Sequence, residues 1–322
     1  MRYELPQSVR KNLAKPEVRL HHLLWHAIRN SWHEFTESER NKIRDNYPSW
    51  EPKIPRFIAV PSPPNGNGVE INWTAGESFL YMHRKMISLV NKQLSAIGEP
   101  ELVPWDDIPE LDDPDYPVPD RVPDGDENEP KSDSHLALMK KRSAQVHTSL
   151  RQVSLASLGA FIESAIHDFM HMRWAEKPGI MNTFPLFNHT NLNIKIPSQF
   201  HEESVDYLGH PYSSHVNSTF WKLHGWIDKI IDHWRVENGL ETIEWKDTWV
   251  GDMPADDEPV STEDSDSNPS VITKFMSHGQ HSETQLIEVF RMINEFENCH
   301  ASFDYVRHKG IPIPALSDIS KS

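Results

Sequence analysis

Apolar residues recur every three or four positions through several long segments, and this spacing limits the fold more than any other feature of the chain. It is the spacing of an α-helix that buries one face, whereas the alternation typical of strands is weak and short. The predicted helical segments are 18–32, 77–94, 155–174, 220–234 and 284–296. Thr36 and Glu39 form a capping box that opens a further short helix. The candidate strands are 57–60 and 193–196. We therefore expect a mostly α fold with helices packed as a bundle, where metal sites form between facing side chains.

Acidic residues are concentrated in two proline-rich segments, 101–130 and 251–270. The formal net charge of the chain is −16, and these two segments account for all of it, so the helical remainder is close to neutral. Segments of this composition do not form a core, and we expect solvated loop insertions in a single domain spanning 1–322. A lid over a site is the alternative interpretation of the same segments.

Several classes of protein are excluded by composition. The acidic balance argues against binding to nucleic acid, and no apolar run approaches the roughly 20 residues of a membrane span. The single cysteine, Cys299, excludes a disulfide scaffold and cysteine-cluster metal sites. The first residues lack the apolar region of a signal peptide, so we expect a cytoplasmic protein.

Histidine is abundant, with 19 residues, and four of those on the predicted helices are candidates for a metal site. His167 and His171 are four residues apart, which places both imidazoles on one face of the predicted helix 155–174. His224 and His83 lie within the predicted helices 220–234 and 77–94. An isolated buried histidine is usually a hydrogen-bonded core residue, but histidines on three facing helices are what a metal site in a bundle requires.

Three segments resemble, in the same order, motifs of the type-3 copper family, which comprises tyrosinases, catechol oxidases and hemocyanins. They are SFLYMHR at 78–84, FIESAIHDFMH at 161–171 and FWKLHGWIDK at 220–229. The resemblance implies a tyrosinase-like central four-helix bundle. It also implies that His167, His171 and His224 are the ligands of the second metal site, and that His83 is the last ligand of the first.

The first metal site departs from the family pattern. Nine positions before His83, where the family has another ligand, this chain has Thr74, and no histidine lies between His33 and His83. His22 and His26 form an i,i+4 pair on an earlier helix, which we interpret as a packed helix face, with a substitute role for the missing ligands left open. We therefore expect the first site to be dismantled.

One preserved set of three neutral imidazoles with an open position is the ligand set of a catalytic zinc ion, although copper also binds such a set. A tyrosinase-like chain with one site lost resembles the cyclopenases, the hemocyanin-like zinc enzymes of fungal quinolone alkaloid biosynthesis. That resemblance implies conversion of a cyclopenin-type benzodiazepinedione epoxide into a viridicatin-type 3-hydroxy-4-arylquinolin-2-one, with loss of methyl isocyanate. The partners expected are a small aromatic alkaloid and a second copy in a homodimer.

Three residues are candidates for the acid or base of such a lyase: His83, Asp168 and Glu77. The first alternative is a type-3 copper phenol oxidase or hydroxylase in which His22, His26 and His83 supply the first site. The second is a metal-free binding module.

Overall fold

The computed structural model describes residues 4–61, 68–176, 196–252 and 283–319. Helix accounts for 54% and strand for 3%, which confirms the predicted mostly α class. The helices are α1 (Gln7–Leu13), α2 (Pro16–Ser31), α3 (Glu37–Asn46), α4 (Gly76–Ala96), α5 (Asp133–Ser149), α6 (Leu155–Ile162), α7 (Asp168–Trp174), α8 (Ser218–Glu237), α9 (Glu283–Asn294) and α10 (Tyr305–His308). Single 3-10 turns lie at Pro48–Trp50, Ser198–His201, Ser214–Val216 and Leu316–Asp318. Within the described ranges, no helix is long and apolar enough to cross a membrane.

Local sequence signals account for several helix starts. The capping box of α3 is present: the Thr36 hydroxyl accepts from the Glu39 amide, and the Glu39 carboxylate accepts from the Thr36 amide at 2.7 Å. Side chains also cap α5, α6 and α8, through Ser132, Ser154 and Asn217. The periodicity did not predict α1 and α5.

One predicted helix is interrupted in a way that periodicity does not reveal. Between α6 and α7, Glu163–His167 forms a π-helix, so the segment 155–174 is not a uniform α-helix. Single π-helical turns widen a helix locally and are frequent at functional sites. This one ends at His167.

The strand content is one short antiparallel pair, β1 (Phe57–Ala59) and β2 (Val69–Ile71), with Phe57 opposite Ile71. The first strand agrees with the predicted segment 57–60, and the second was missed. Of the other candidate, 193–196, only Ile196 is described, and it lies outside any strand.

Helix α4 packs against both α6 and α8, while α2 packs against α9. The contact between α4 and α6 is a backbone approach at two glycines, Gly76 and Gly159. A Cβ atom added to Gly159 would lie only 2.4 Å from the Gly76 carbonyl oxygen, so neither position has room for a side chain. This close crossing sets how α4, which carries His83, lies against the helical segment that leads to His167.

The acidic segment 101–130 contains neither helix nor strand, as expected for a loop, but it is not simply solvated. Trp105 and Ile108 are buried, and the Trp105 ring lies 4.9 Å from that of Trp174 on α7. The Trp105 amide also donates to the Lys222 carbonyl on α8. Apolar anchors therefore hold this loop on the core. The second acidic segment, 251–270, lies outside the described residues apart from its first two.

Candidate metal centre

Six buried histidines converge where α2, α4, the π-helix with α7, and α8 meet. All are at most 2% exposed: His22, His26, His83, His167, His171 and His224. Two overlapping groups within this set bring their ring nitrogens within 4.8 Å of one another and could hold a metal ion. One group is His22, His26 and His83, and the other is His83, His167 and His224. The predicted ligand His171 belongs to neither group, although its ring centre lies 4.4 Å from that of His167 and 5.3 Å from that of His224.

The hydrogen bonds of the Nδ1 atoms determine which nitrogen of each ring carries the proton. His83 and His224 each place Nδ1 2.8 Å from the carbonyl oxygen four residues earlier in their own helix. His171 Nδ1 lies 2.8 Å from the Leu208 carbonyl, and His22 Nδ1 lies 2.6 Å from the Pro211 carbonyl. Because a carbonyl oxygen only accepts, each Nδ1 must donate, and each Nε2 of the neutral ring then bears a lone pair.

The fifth ring, His167, is oriented by a carboxylate instead. Its Nδ1 lies 3.0 Å from Asp168 Oδ1, so it too donates from Nδ1 and leaves Nε2 unprotonated. His26 differs from the other five because its Nε2 lies 3.2 Å from His22 Nε2 and can donate a hydrogen to it.

Apart from that of His22, the unprotonated Nε2 atoms have no hydrogen-bond donor among the described residues. His167 Nε2 and His224 Nε2 lie 3.0 Å apart, although each presents a lone pair. The Nε2 atoms of His83 and His171 are buried with no hydrogen-bond partner in the described part of the chain. Buried polar atoms without partners are costly, and a cation among them removes both the repulsion and the lost hydrogen bonds. The residues present therefore fit a metal ion bound through imidazole nitrogens.

Burial also keeps these rings neutral. Loss of hydration lowers the pKa of His83 to about 4 and that of His171 to about 3. For His22, His26, His167 and His224, burial first and neighbouring histidines second lower the pKa well below its usual value. Neutral imidazole is the form that binds metal ions, so no proton has to be displaced at neutral pH.

A buried group of two arginines and two carboxylates adjoins the histidines. Arg56 contacts the Asp168 carboxylate at 2.6 Å and Glu163 at 3.4 Å, and Arg29 pairs with Glu163. Their formal charges cancel, as buried ion pairs require. Burial raises the pKa of Asp168 to about 7, while Arg56 acts in the opposite direction. Asp168 thus contacts both Arg56 and His167, and it lies on the Nδ1 side of the His167 ring rather than beside the Nε2 atoms.

The other candidate base, Glu77, lies in a different environment. It is half-buried and accepts a hydrogen bond from the Lys246 amide at 2.8 Å, and burial raises its pKa. No hydrogen bond or ion pair found among the described residues links Glu77 to one of the six histidines. Thr74 is exposed and bonds Asn72, so it contributes nothing to the centre.

The structure adds a grouping that the sequence analysis did not predict. His22 and His26, interpreted from the sequence as a packed helix face, lie within reach of His83 and complete a second histidine trio. Their i,i+4 spacing was the available signal. Phe303 was missed altogether: its ring stacks on His171 at 4.1 Å and lies 5.1 Å from His26. Searches of protein-family models and of curated proteins found no match to this chain.

Proposed function

We propose that the protein is a metal-dependent enzyme with a tyrosinase-like four-helix core, whose centre is held by His167, His171 and His224. The observation that carries this proposal is the convergence of buried, unprotonated Nε2 atoms, two of them 3.0 Å apart and two without any described partner. A packed core of structural histidines would pair these atoms with donors.

The reaction we propose is the zinc-dependent ring contraction of a cyclopenin-type benzodiazepinedione epoxide to a viridicatin-type quinolinone. It needs only one histidine trio, whereas two-copper chemistry needs both. A zinc ion bound there would supply a Lewis acid for an amide carbonyl or epoxide oxygen. We assign His83 to proton transfer because its Nε2 lacks a described partner while its Nδ1 is fixed on the Phe79 carbonyl.

Aromatic rings pack on the proposed ligands. Phe220 stacks on His224 with ring centres 3.7 Å apart, and Phe303 stacks on His171. Both side chains are buried, so they exclude water from the imidazoles. Asp168 has a supporting role, because it orients His167 and is itself held by Arg56.

A second candidate is the type-3 copper phenol oxidase or hydroxylase. The grouping of His22, His26 and His83 favours it, since these histidines would form a second metal position beside the first. In that case His83 is a ligand rather than a proton carrier.

Metal analysis combined with turnover under nitrogen separates the two candidates. We expect zinc in the purified protein and conversion of a cyclopenin-type epoxide without oxygen. Two copper ions per chain with a strict oxygen requirement would support the oxidase and overturn the lyase.

Replacing His224 by Ala tests the centre itself. We expect His224→Ala to lose bound metal and His233→Ala, at an exposed position nine residues further along α8, to retain it. Unchanged metal content in a folded His224→Ala protein would leave the metal-free binding module as the better explanation.

A further inference from the structure

One loop supplies hydrogen-bond acceptors to His22, a member of the first group, and to His171, one of the proposed ligands. This loop, residues 202–216, connects the 3-10 turn at Ser198–His201 with the start of α8. Its Leu208 carbonyl accepts from His171 Nδ1, and its Pro211 carbonyl accepts from His22 Nδ1. His215 is on the same loop, and its Nδ1 lies 3.1 Å from His22 Nδ1. Its Nε2 donates to the Leu13 carbonyl at 3.1 Å. The position of the 202–216 loop therefore affects the orientation of the His171 and His22 rings.

Arg19, which lies on α2 three residues before His22, donates hydrogen bonds to this loop. Its guanidinium is fully buried and donates to the carbonyls of Glu202 and Val205, both at 2.8 Å, and of Tyr212 at 3.3 Å. The remaining nitrogen, Nε, donates to the Ala14 carbonyl at 2.8 Å. The three loop acceptors lie on either side of Leu208 and Pro211.

The buried positive charge of Arg19 is solvated by carbonyl oxygens rather than paired with a carboxylate. A guanidinium without hydration is costly, and no ion pair of Arg19 is found within the described residues. Burial lowers the pKa of Arg19 to about 10, so the group still carries its charge at neutral pH. A rigid fork of donors fixes several carbonyls of one loop at once, which the single ammonium of lysine does not do.

We propose that Arg19 is a positioning residue for the metal centre, acting through the 202–216 loop on the rings of His171 and His22. The inference rests on the proposed function, since it assumes that His171 binds metal. Removing the guanidinium frees the loop, so the Leu208 and Pro211 carbonyls that accept from His171 and His22 shift. The two rings then rotate, and their Nε2 atoms no longer point toward the metal position.

The test compares Zn²⁺ affinity and the visible spectrum of the Co²⁺ form in the full-length wild type and in Arg19→Met, Arg19→Lys and Arg40→Met. Arg40 is the matched control because its guanidinium also donates to two carbonyls, those of Trp32 and His33, beyond the far end of α2. We expect Arg19→Met to bind Zn²⁺ about 10- to 100-fold more weakly, with an altered Co²⁺ spectrum. Arg19→Lys should recover part of the loss, and Arg40→Met should match the wild type.

A folded Arg19→Met protein with wild-type affinity and spectrum overturns the inference. If Arg19→Met does not fold, Arg19→Lys decides: a measurable loss of affinity with a changed spectrum supports the role, and wild-type values overturn it. A wild type that binds neither Zn²⁺ nor Co²⁺ refutes the proposed function instead, so the two failures are distinguishable.

Discussion

Substituting alanine for Gly159 tests whether the crossing of α4 and α6 sets the geometry of the centre. The added Cβ would lie 2.4 Å from the Gly76 carbonyl oxygen, 2.7 Å from the Gly76 carbonyl carbon and 2.9 Å from Leu80 Cγ. The two nearest atoms belong to backbone, so no side-chain rotation relieves the clash. Restoring ordinary van der Waals contact moves the helices apart by about 1 Å.

A displacement of that size is large for a metal site, where ligand distances are held to about 0.2 Å. Helix α4 packs against both α6, which leads to His167, and α8, which carries His224, so pushing α4 away from α6 changes the spacing of these two proposed ligands. We expect Gly159→Ala to weaken Co²⁺ binding at least tenfold, to change the Co²⁺ spectrum and to lower the free energy of unfolding by about 1–3 kcal/mol.

The control is Ile43→Ala, which removes a fully buried side chain on α3 at a cost of about 2–4 kcal/mol without pushing α4 from α6. Titration with Co²⁺ followed by absorbance, together with urea unfolding, measures both effects. If Gly159→Ala binds Co²⁺ as the wild type does, the helix crossing does not set the ligand geometry and the reasoning is refuted.

Three further predictions concern metal, acid and the carboxylates. Zn²⁺ at 100 times its dissociation constant should stabilise the protein by about 2.7 kcal/mol, seen as a higher melting temperature that a chelator reverses. In the metal-free protein, His83 and His171 have folded-state pKa values of about 4 and 3, below the roughly 6.5 of the unfolded chain. The unfolded state therefore binds more protons below pH 6.5. Between pH 6.5 and its folded-state pKa, each ring should lower the free energy of unfolding by about 1.4 kcal/mol per pH unit. A urea midpoint that is unchanged between pH 7.5 and 5 would contradict this. Asp168→Asn, which leaves Arg56 without its closest partner, should weaken Zn²⁺ binding about 10- to 100-fold, whereas Glu77→Gln should leave metal content unchanged.

The helical periodicity placed all six histidines on helices, but it could not tell which helix faces meet. His22 and His26 share a face of α2 in the sequence as clearly as His167 and His171 do on their own segment. What differs is which neighbour each face meets, and α2 meets His83 only through tertiary packing. The resemblance placed the missing ligands elsewhere in the chain, so it directed attention away from α2.

The acceptors of the Nδ1 hydrogen bonds also differ in whether the sequence predicts them. For His83 and His224 the acceptor is the carbonyl four residues earlier, which every helical residue has beneath it, so a helix assignment already makes this partner available. For His171 and His22 the acceptors are carbonyls of Leu208 and Pro211, more than 35 residues away in sequence. A backbone carbonyl has no residue type of its own, so no motif marks it. Arg19 is the side chain that binds this loop, because a buried guanidinium requires several hydrogen-bond acceptors nearby.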